Sequence, residues 1–152
     1  MQQLMVGEHQ LGTATLVSRT SLTAPTTDTL KAALYLASAT VNASTTAYSA
    51  SNEVSGTNYV AGGVTVTNAT APNSTNTTAT AGVAFFTPSA SITYTTVTLA
   101  TAFDAVLIYN STQSNKAISV HTFGSQTITA GTFTLTMPAN TTSTALIRLA
   151  TT

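Results

Sequence analysis

Apolar and polar residues alternate with a period of two in several parts of the chain from Leu30 onward. Apolar side chains at every second position give a strand one buried face and one exposed face, so this period predicts half-buried antiparallel strands. Runs of this kind, bounded by Gly, Pro, Ser or Asn, predict strands at Leu30–Leu36 and at residues 64–67, 117–122 and 132–137. A last strand is predicted at residues 145–149.

Two further segments depart from simple alternation. Residues 105–109 are apolar at consecutive positions, which predicts a central strand that is covered on both faces. Between residues 92 and 99 the apolar residues change from even to odd positions, which predicts a bulge or bend at Thr95 and Thr96.

These short strands, with turn residues between them and little helical periodicity, predict an all-β protein. We expect an antiparallel β-sandwich or jelly roll over residues 28–152. Residues 1–27 differ in composition and are predicted to form an extended N-terminal arm. The Asn- and Thr-rich residues 68–80 are predicted to be an exposed loop.

Charged residues are scarce, and this changes the functional expectation. They make up 5% of the 152 residues, against about 25% in ordinary soluble domains, and the formal net charge is zero. Soluble monomers usually keep a charged surface, so a neutral surface favours an assembled structural protein. Four Lys and Arg residues make nucleic acid an unexpected partner, and no apolar run approaches the roughly 20 residues of a membrane-spanning helix.

Titratable groups that could support catalysis are equally few. The chain has four carboxylates, two histidines and no cysteine. Asp28 and Asp104 lie next to predicted strands, where such residues commonly cap turns, and His121 is predicted to face solvent or a subunit interface. We therefore expect no enzymatic activity, no metal and no cofactor.

One segment combines a charge with several glycines. Glu53 is followed by Gly56 and then by Gly62 and Gly63, which allow the chain to reverse tightly before residue 64. We expect Glu53 to stabilise this turn, either by accepting backbone N–H hydrogen bonds or by pairing with Lys31 or Lys116.

Three blocks of the chain resemble small β-rich virion structural proteins of tailed bacteriophages. The blocks are residues 28–40, 52–63 and 107–124, and a turn at Ala130 and Gly131 and a strand containing Phe133 follow the third. The resemblance covers most of residues 28–149. It implies a non-enzymatic component of the particle, either a capsid decoration protein or a tail-associated protein, and it brings no catalytic residues with it.

The first functional hypothesis is a capsid decoration, or cement, protein on the outer surface of the phage head. Its partners are expected to be the major capsid protein and copies of itself, as a homotrimer, without nucleic acid or membrane. The candidate partner-binding residues lie in the arm, namely Leu4, Met5, Leu11, Leu16 and Arg19.

The second hypothesis is a tail or fibre component that binds a host surface glycan. Aromatic rings and neutral polar groups suit sugars, so the candidate contacts are Tyr48, Tyr59, Asn73 and Asn76. A third hypothesis is a secreted cell-surface adhesion module, which predicts a removed signal sequence and a longer parent chain.

Overall fold

The computed structural model describes residues 28–67, 73–74 and 83–150, so the predicted arm lies outside the described residues. Within the described ranges the chain forms two antiparallel sheets and contains no helix. In chain order the strands are β1 Leu30–Leu36, β2 Val64–Thr65, β3 Asn73–Ser74, β4 Val83–Phe86, β5 Ile92–Asn110, β6 Lys116–Leu135 and β7 Ile147–Ala150. The all-β prediction is confirmed, and the finer sandwich or jelly-roll architecture stays a prediction.

The larger sheet has the strand order β2-β1-β5-β6, which places β5 in its centre. The bounds predicted for β1 are confirmed, and this strand pairs with the last eight residues of β5, from Leu30 opposite Asn110 to Leu36 opposite Phe103. Residues 105–109 of β5 are buried at every position. The prediction of a central strand covered on both faces is therefore also confirmed.

Each face of this sheet carries its own hydrophobic cluster. One cluster contains Leu34 and Ile108 together with Phe86 of β4 and Ile147 of β7, so the two sheets contribute to a common core. The opposite cluster contains Leu107, with partly buried Val41 packed against it. Residues between β1 and β2 thus cover the second face, which explains why β5 is apolar at consecutive positions.

The smaller sheet has the order β3-β4-β7. Residues 68–80 were predicted to be a loop, but Asn73 and Ser74 within them form β3, and Asn73 pairs with Phe85. The last predicted strand, at residues 145–149, is displaced: β7 begins at Ile147 and pairs with β4 through residue 150. Strand β2 likewise ends two residues before the predicted limit.

Strands β5 and β6 form one hairpin of 19 and 20 residues, which is much longer than the separate strands predicted from the sequence. The pairing shifts register at five places, including the step from Tyr94 to Val97, where Thr96 has a φ of +52°. The predicted irregularity at Thr95 and Thr96 is confirmed. Because each extra residue reverses the alternation, one continuous strand looks like several short ones in the sequence.

Aromatic rings pack the middle and the open end of this hairpin, opposite its turn, against the core. The ring centroids of Phe103, Phe123 and Phe133 lie 5.1–5.9 Å apart, and Tyr94 extends the group at 6.1 Å from Phe133. Tilted and edge-on rings at these separations attract each other in addition to the area that they bury. The hairpin is therefore packed along its length rather than projecting freely.

Buried polar groups fix the turn between β5 and β6. Asn110, which is 0% exposed, donates from Nδ2 to Asp28 Oδ2 at 2.6 Å, and its Oδ1 accepts the backbone N–H groups of Thr112 and Gln113. Gln113 Nε2 donates to the other oxygen of Asp28 at 3.3 Å. Asp28, two residues before β1, is thereby joined to the turn that connects β5 and β6.

We expect Leu107→Asp to lower the free energy of unfolding by about 4 kcal/mol or more, because it places a charge at a position that is 0% exposed. Thr93→Asp, at an exposed position of the same strand, is the matched control and should change the free energy by less than about 1 kcal/mol. Urea denaturation followed by circular dichroism measures both. A folded Leu107→Asp variant of normal stability would contradict the central position of β5.

Candidate functional site

The segment between β1 and β2 runs along the outer edge of β1 and brings Glu53 next to the sheet. Leu36 N–H donates to Asn52 O and Val54 N–H donates to Leu34 O, both at 3.0 Å, so Glu53 lies opposite Tyr35 in a short antiparallel bridge. The backbone of residues 52–54 thus acts as a further edge partner of β1. This pairing places the Glu53 carboxylate beside the sheet without a regular strand.

The Glu53 carboxylate accepts three hydrogen bonds from uncharged donors. Oε1 accepts from the Tyr59 hydroxyl and from the Gly62 N–H, each at 2.7 Å, and Oε2 accepts from the Tyr48 hydroxyl at 2.6 Å. Hydrogen bonds to a charged acceptor are shorter and stronger than neutral ones. Of the two roles expected for this carboxylate, the described contacts show backbone N–H acceptance rather than a lysine pair.

Tyr59 links this carboxylate to the backbone of the core strand. Its hydroxyl donates to Glu53 and accepts the Leu34 N–H at 3.0 Å. Leu34 is buried, so its N–H needs a partner, and no strand residue occupies that place beside β1. The phenol therefore completes the backbone hydrogen bonding of β1 between β2 and residues 52–54.

All five tyrosines of the chain lie near Glu53, whose charge contributes to the electrostatic environment of each. We call Glu53 and these tyrosines, Tyr35, Tyr48, Tyr59, Tyr94 and Tyr109, the tyrosine cluster. Two stacked pairs build it: Tyr48 on Tyr109 at 4.7 Å, and Tyr59 on Tyr94 at 5.9 Å between ring centroids. The cluster joins three chain regions that are distant in sequence.

The remaining hydroxyls of the tyrosine cluster bind backbone carbonyls. Tyr94 donates to Ala32 O and Tyr109 donates to Gly62 O, both at 2.8 Å, and Tyr35 donates to Ser49 O at 2.5 Å. Each buried polar tip thus has a partner, as buried phenols require. The cluster fixes the loop between β1 and β2 on the sheet.

Burial and the negative charge of Glu53 both disfavour the phenolate forms. The pKa of Tyr59 is raised by burial first and then by its hydrogen bond to Glu53, and the pKa of Tyr94 is raised by burial first and then by the Glu53 charge. Burial likewise raises the pKa of Tyr35, Tyr48 and Tyr109. The cluster is therefore built for neutral phenols around one carboxylate.

These shifts predict a loss of stability in alkali. An acid whose pKa is higher in the folded state stabilises the fold fully below the unfolded pKa, near 10 for tyrosine, and loses that contribution as pH rises toward the folded pKa. Tyr59 and Tyr94 should each steepen the fall by about 1.4 kcal/mol per pH unit above pH ~10. Urea denaturation at a series of pH values measures this fall in the free energy of unfolding. Tyr94→Phe should make the fall less steep. An unchanged slope in this variant would contradict the raised pKa of Tyr94.

The predicted turn glycines lie at close backbone contacts. Gly62 and Gly63 have φ of +86° and +74°, and Gly63 N–H donates to Val60 O at 2.9 Å, which closes a turn. A Cβ on Gly63 would overlap the carbonyl oxygen of Ala32. Gly56 lies where residue 57 bridges to Thr98, and a Cβ there would overlap the Thr98 carbonyl oxygen. At Gly56 and Gly63 only glycine permits this approach.

The described residues among those proposed for glycan binding, Tyr48, Tyr59 and Asn73, are not brought together as an open site. The hydroxyls of Tyr48 and Tyr59 donate to Glu53, and one face of each ring is stacked on another tyrosine. Asn73 lies in β3 of the other sheet, and Asn76 lies outside the described residues. The five candidate partner-binding residues of the arm likewise lie outside the described residues. They are Leu4, Met5, Leu11, Leu16 and Arg19.

The outer edge of β6 is a surface that the sequence reasoning missed. β6 ends the larger sheet and pairs only with β5 among the named strands. From Ile118 to Leu135 it contains no Asp, Glu, Lys, Arg or Pro, although such residues commonly protect exposed edges. The signal was present in the sequence, but it was hidden because the strand was divided into shorter ones.

A groove accompanies the first part of this edge. It has a volume of about 560 Å³ and lies between residues 41–46 and the start of β6, with Ala117 to Val120 and Thr122 on the strand side. The half-buried His121 lies between the groove residues Val120 and Thr122 in β6. Burial lowers its pKa, and its Nε2 lies 3.0 Å from Ser119 Oγ. The groove is thus lined by neutral groups.

Within the described ranges, no group of three or more His, Asp or Glu side chains is placed to hold a metal ion. The same residues include no helix with the length and apolar character needed to cross a membrane. No protein-family model, curated protein or solved structure matches the chain.

Proposed function

We propose that the chain is a structural protein of a tailed-phage particle, which binds the outer surface of the head as a decoration protein together with copies of itself. The observation that carries this proposal is the neutral edge of β6, with which no backbone group of the described residues pairs beyond Ala117. An 18-residue stretch without charge or proline is an unfavourable surface for a free monomer, because open edges recruit other strands. It suits a protein whose surface is covered in an assembly.

The exposed face of the long hairpin supports the same function. Beyond the groove, the exposed residues of β6 all have small or neutral side chains, and half of them are threonines, namely Thr127, Thr129, Thr132 and Thr134. Neutral hydroxyls and methyl groups add hydrogen bonds and apolar area without requiring a matching charge on the partner. Many weak contacts of this kind, repeated over a shell, gain strength through multivalency.

The tyrosine cluster supports a structural role and gives less support to glycan recognition. A glycan site needs accessible aromatic faces and free polar groups, whereas Tyr48 and Tyr59 already use their hydroxyls within the chain. The cluster holds a long loop on the sheet, which favours a rigid building block. We therefore place the decoration function before the tail or fibre function.

Binding to particles assembled without this chain tests the proposal. Purified protein is mixed with such heads and, separately, with isolated tails, and each mixture is sedimented. We expect saturable binding to heads, with a stoichiometry set by the coat lattice, and none to tails. Binding to tails with no binding to heads would contradict the decoration function and favour the tail alternative.

A further inference from the structure

Among the residues that the structure describes, the outer edge of β6 is covered only at its start. Tyr48 N–H donates to Asn115 O and Ala117 N–H donates to Thr46 O, both at 2.9 Å, so residues 46–48 pair with the beginning of the strand. Beyond Ala117, no backbone group in the described part of the chain pairs with this outer edge. The exposed edge therefore begins beside the groove.

One short run of this edge is regular enough to accept another strand. Residues 119–122 pair one to one with residues 105–108 of β5, whereas the register shifts on both sides of this run. A bulge bends a strand and disrupts its ladder, so a partner strand fits best where pairing is regular. Ser119, Val120 and Thr122 of this run also line the groove, which leaves space next to the edge.

The chemistry of the run favours a second copy as the partner. Two identical strands that pair antiparallel about a twofold axis supply matching N–H and C=O groups from the same edge. Such symmetry also brings each side chain close to side chains of the identical segment, so a charged run would repel itself. Ser119, Val120, His121 and Thr122 carry no permanent charge, and burial lowers the pKa of His121, which favours its neutral form.

We propose that two copies of this chain join through residues 119–122 of β6, paired antiparallel about a twofold axis, so that their two four-stranded sheets become one continuous sheet. This inference rests on the self-association in the proposed function and specifies its contact. It predicts a dimer, or a larger assembly built from dimers, where the sequence led us to expect a trimer. The remainder of each molecule stays available for the head shell.

The mass of the purified protein in solution tests this interface. Size-exclusion chromatography with light scattering should give twice the mass of one chain, or a higher even multiple of it. Thr122→Lys adds an exposed positive charge to each copy at the contact and should weaken dimerisation at least tenfold. Thr134→Lys places the same charge on the same strand outside the contact and should leave the dimer intact.

Disulfide trapping tests the contact without a disruptive charge. The natural chain has no cysteine, so a single introduced thiol can pair only with its own copy. A twofold axis through the run places one residue opposite itself, within the Cα separation that a disulfide spans. Val120→Cys or His121→Cys should therefore give a covalent dimer on oxidation, and Thr134→Cys should not.

The inference would be overturned if the natural protein were a monomer or a trimer. It would also be overturned if the Thr122→Lys variant had a native circular dichroism spectrum and dimerised as strongly as the natural protein. A third contradicting outcome is that neither Val120→Cys nor His121→Cys gives a covalent dimer. These experiments use the isolated protein, so they are independent of head binding. A dimer that fails to bind heads would contradict the proposed function and retain the interface. A monomer that binds heads would contradict the interface and retain the proposed function.

Discussion

Gly63→Ala is expected to destabilise the protein by at least about 4 kcal/mol, enough to prevent folding of a domain of ordinary stability. Gly63 has a φ of +74°, which a residue with a Cβ adopts at a cost of about 1 to 2 kcal/mol. The added Cβ would also overlap the carbonyl oxygen and carbon of Ala32, which belong to the buried strand β1. Backbone atoms of a packed strand have no room to move away.

Gly124→Ala is the matched control for this substitution. A Cβ at Gly124 meets no atom within 4 Å, and the residue lies on an exposed part of β6 without a positive φ. We expect its free energy of unfolding to stay within about 0.5 kcal/mol of the natural protein. Urea denaturation of both variants decides the matter, and equal stability of the two would show that the turn does not contact β1 as described.

Glu53→Leu is expected to lower the free energy of unfolding by about 3 kcal/mol. The substitution removes the acceptor of three donors, the hydroxyls of Tyr48 and Tyr59 and the N–H of Gly62. A buried donor without a partner costs about 1 to 3 kcal/mol, and the partial exposure of Glu53 lets water recover part of that loss. The loop between β1 and β2 should become more accessible to proteases.

Glu53→Gln separates the contribution of hydrogen bonding from that of shape. The amide retains one acceptor oxygen in nearly the same place, so we expect an intermediate loss of about 1 to 2 kcal/mol. Chemical denaturation and limited proteolysis measure both variants. If Glu53→Leu proved as stable as the natural protein, the tyrosine cluster would have no role in holding the loop.

The local pattern of the chain was sufficient to predict its class and its centre. Alternation located Leu30–Leu36 with its observed bounds, and the apolar run at 105–109 correctly predicted a strand buried on both faces. The shift of parity at Thr95 and Thr96 indicated an irregularity that the structure contains. These features depend on neighbours within a few residues, which a sequence displays directly.

The long hairpin was not predictable by the same reasoning. Its bulges reverse the inward and outward alternation several times, so β6 was interpreted as two separate strands, at 117–122 and 132–137. The open edge became visible only when those strands were joined. Periodicity reports which residues share a face, but it does not report where a strand continues through an irregularity.

The tyrosine cluster could be predicted only in part. Glu53 and the glycines at 56, 62 and 63 were recognised from turn chemistry, which is local. Tyr94 and Tyr109 approach Glu53 because β5 lies beside β1, and that adjacency is set by the topology of the sheet. Spacing along the chain gave no sign that the five tyrosines surround one carboxylate.

The central claim is that this chain is a repeated component of the head surface. Its copy number relative to the major coat protein, measured by quantitative mass spectrometry of purified virions, tests that claim most directly. The decoration function predicts a ratio of the same order as the coat protein, set by positions of the shell lattice. A trace ratio, typical of tail components, would contradict it.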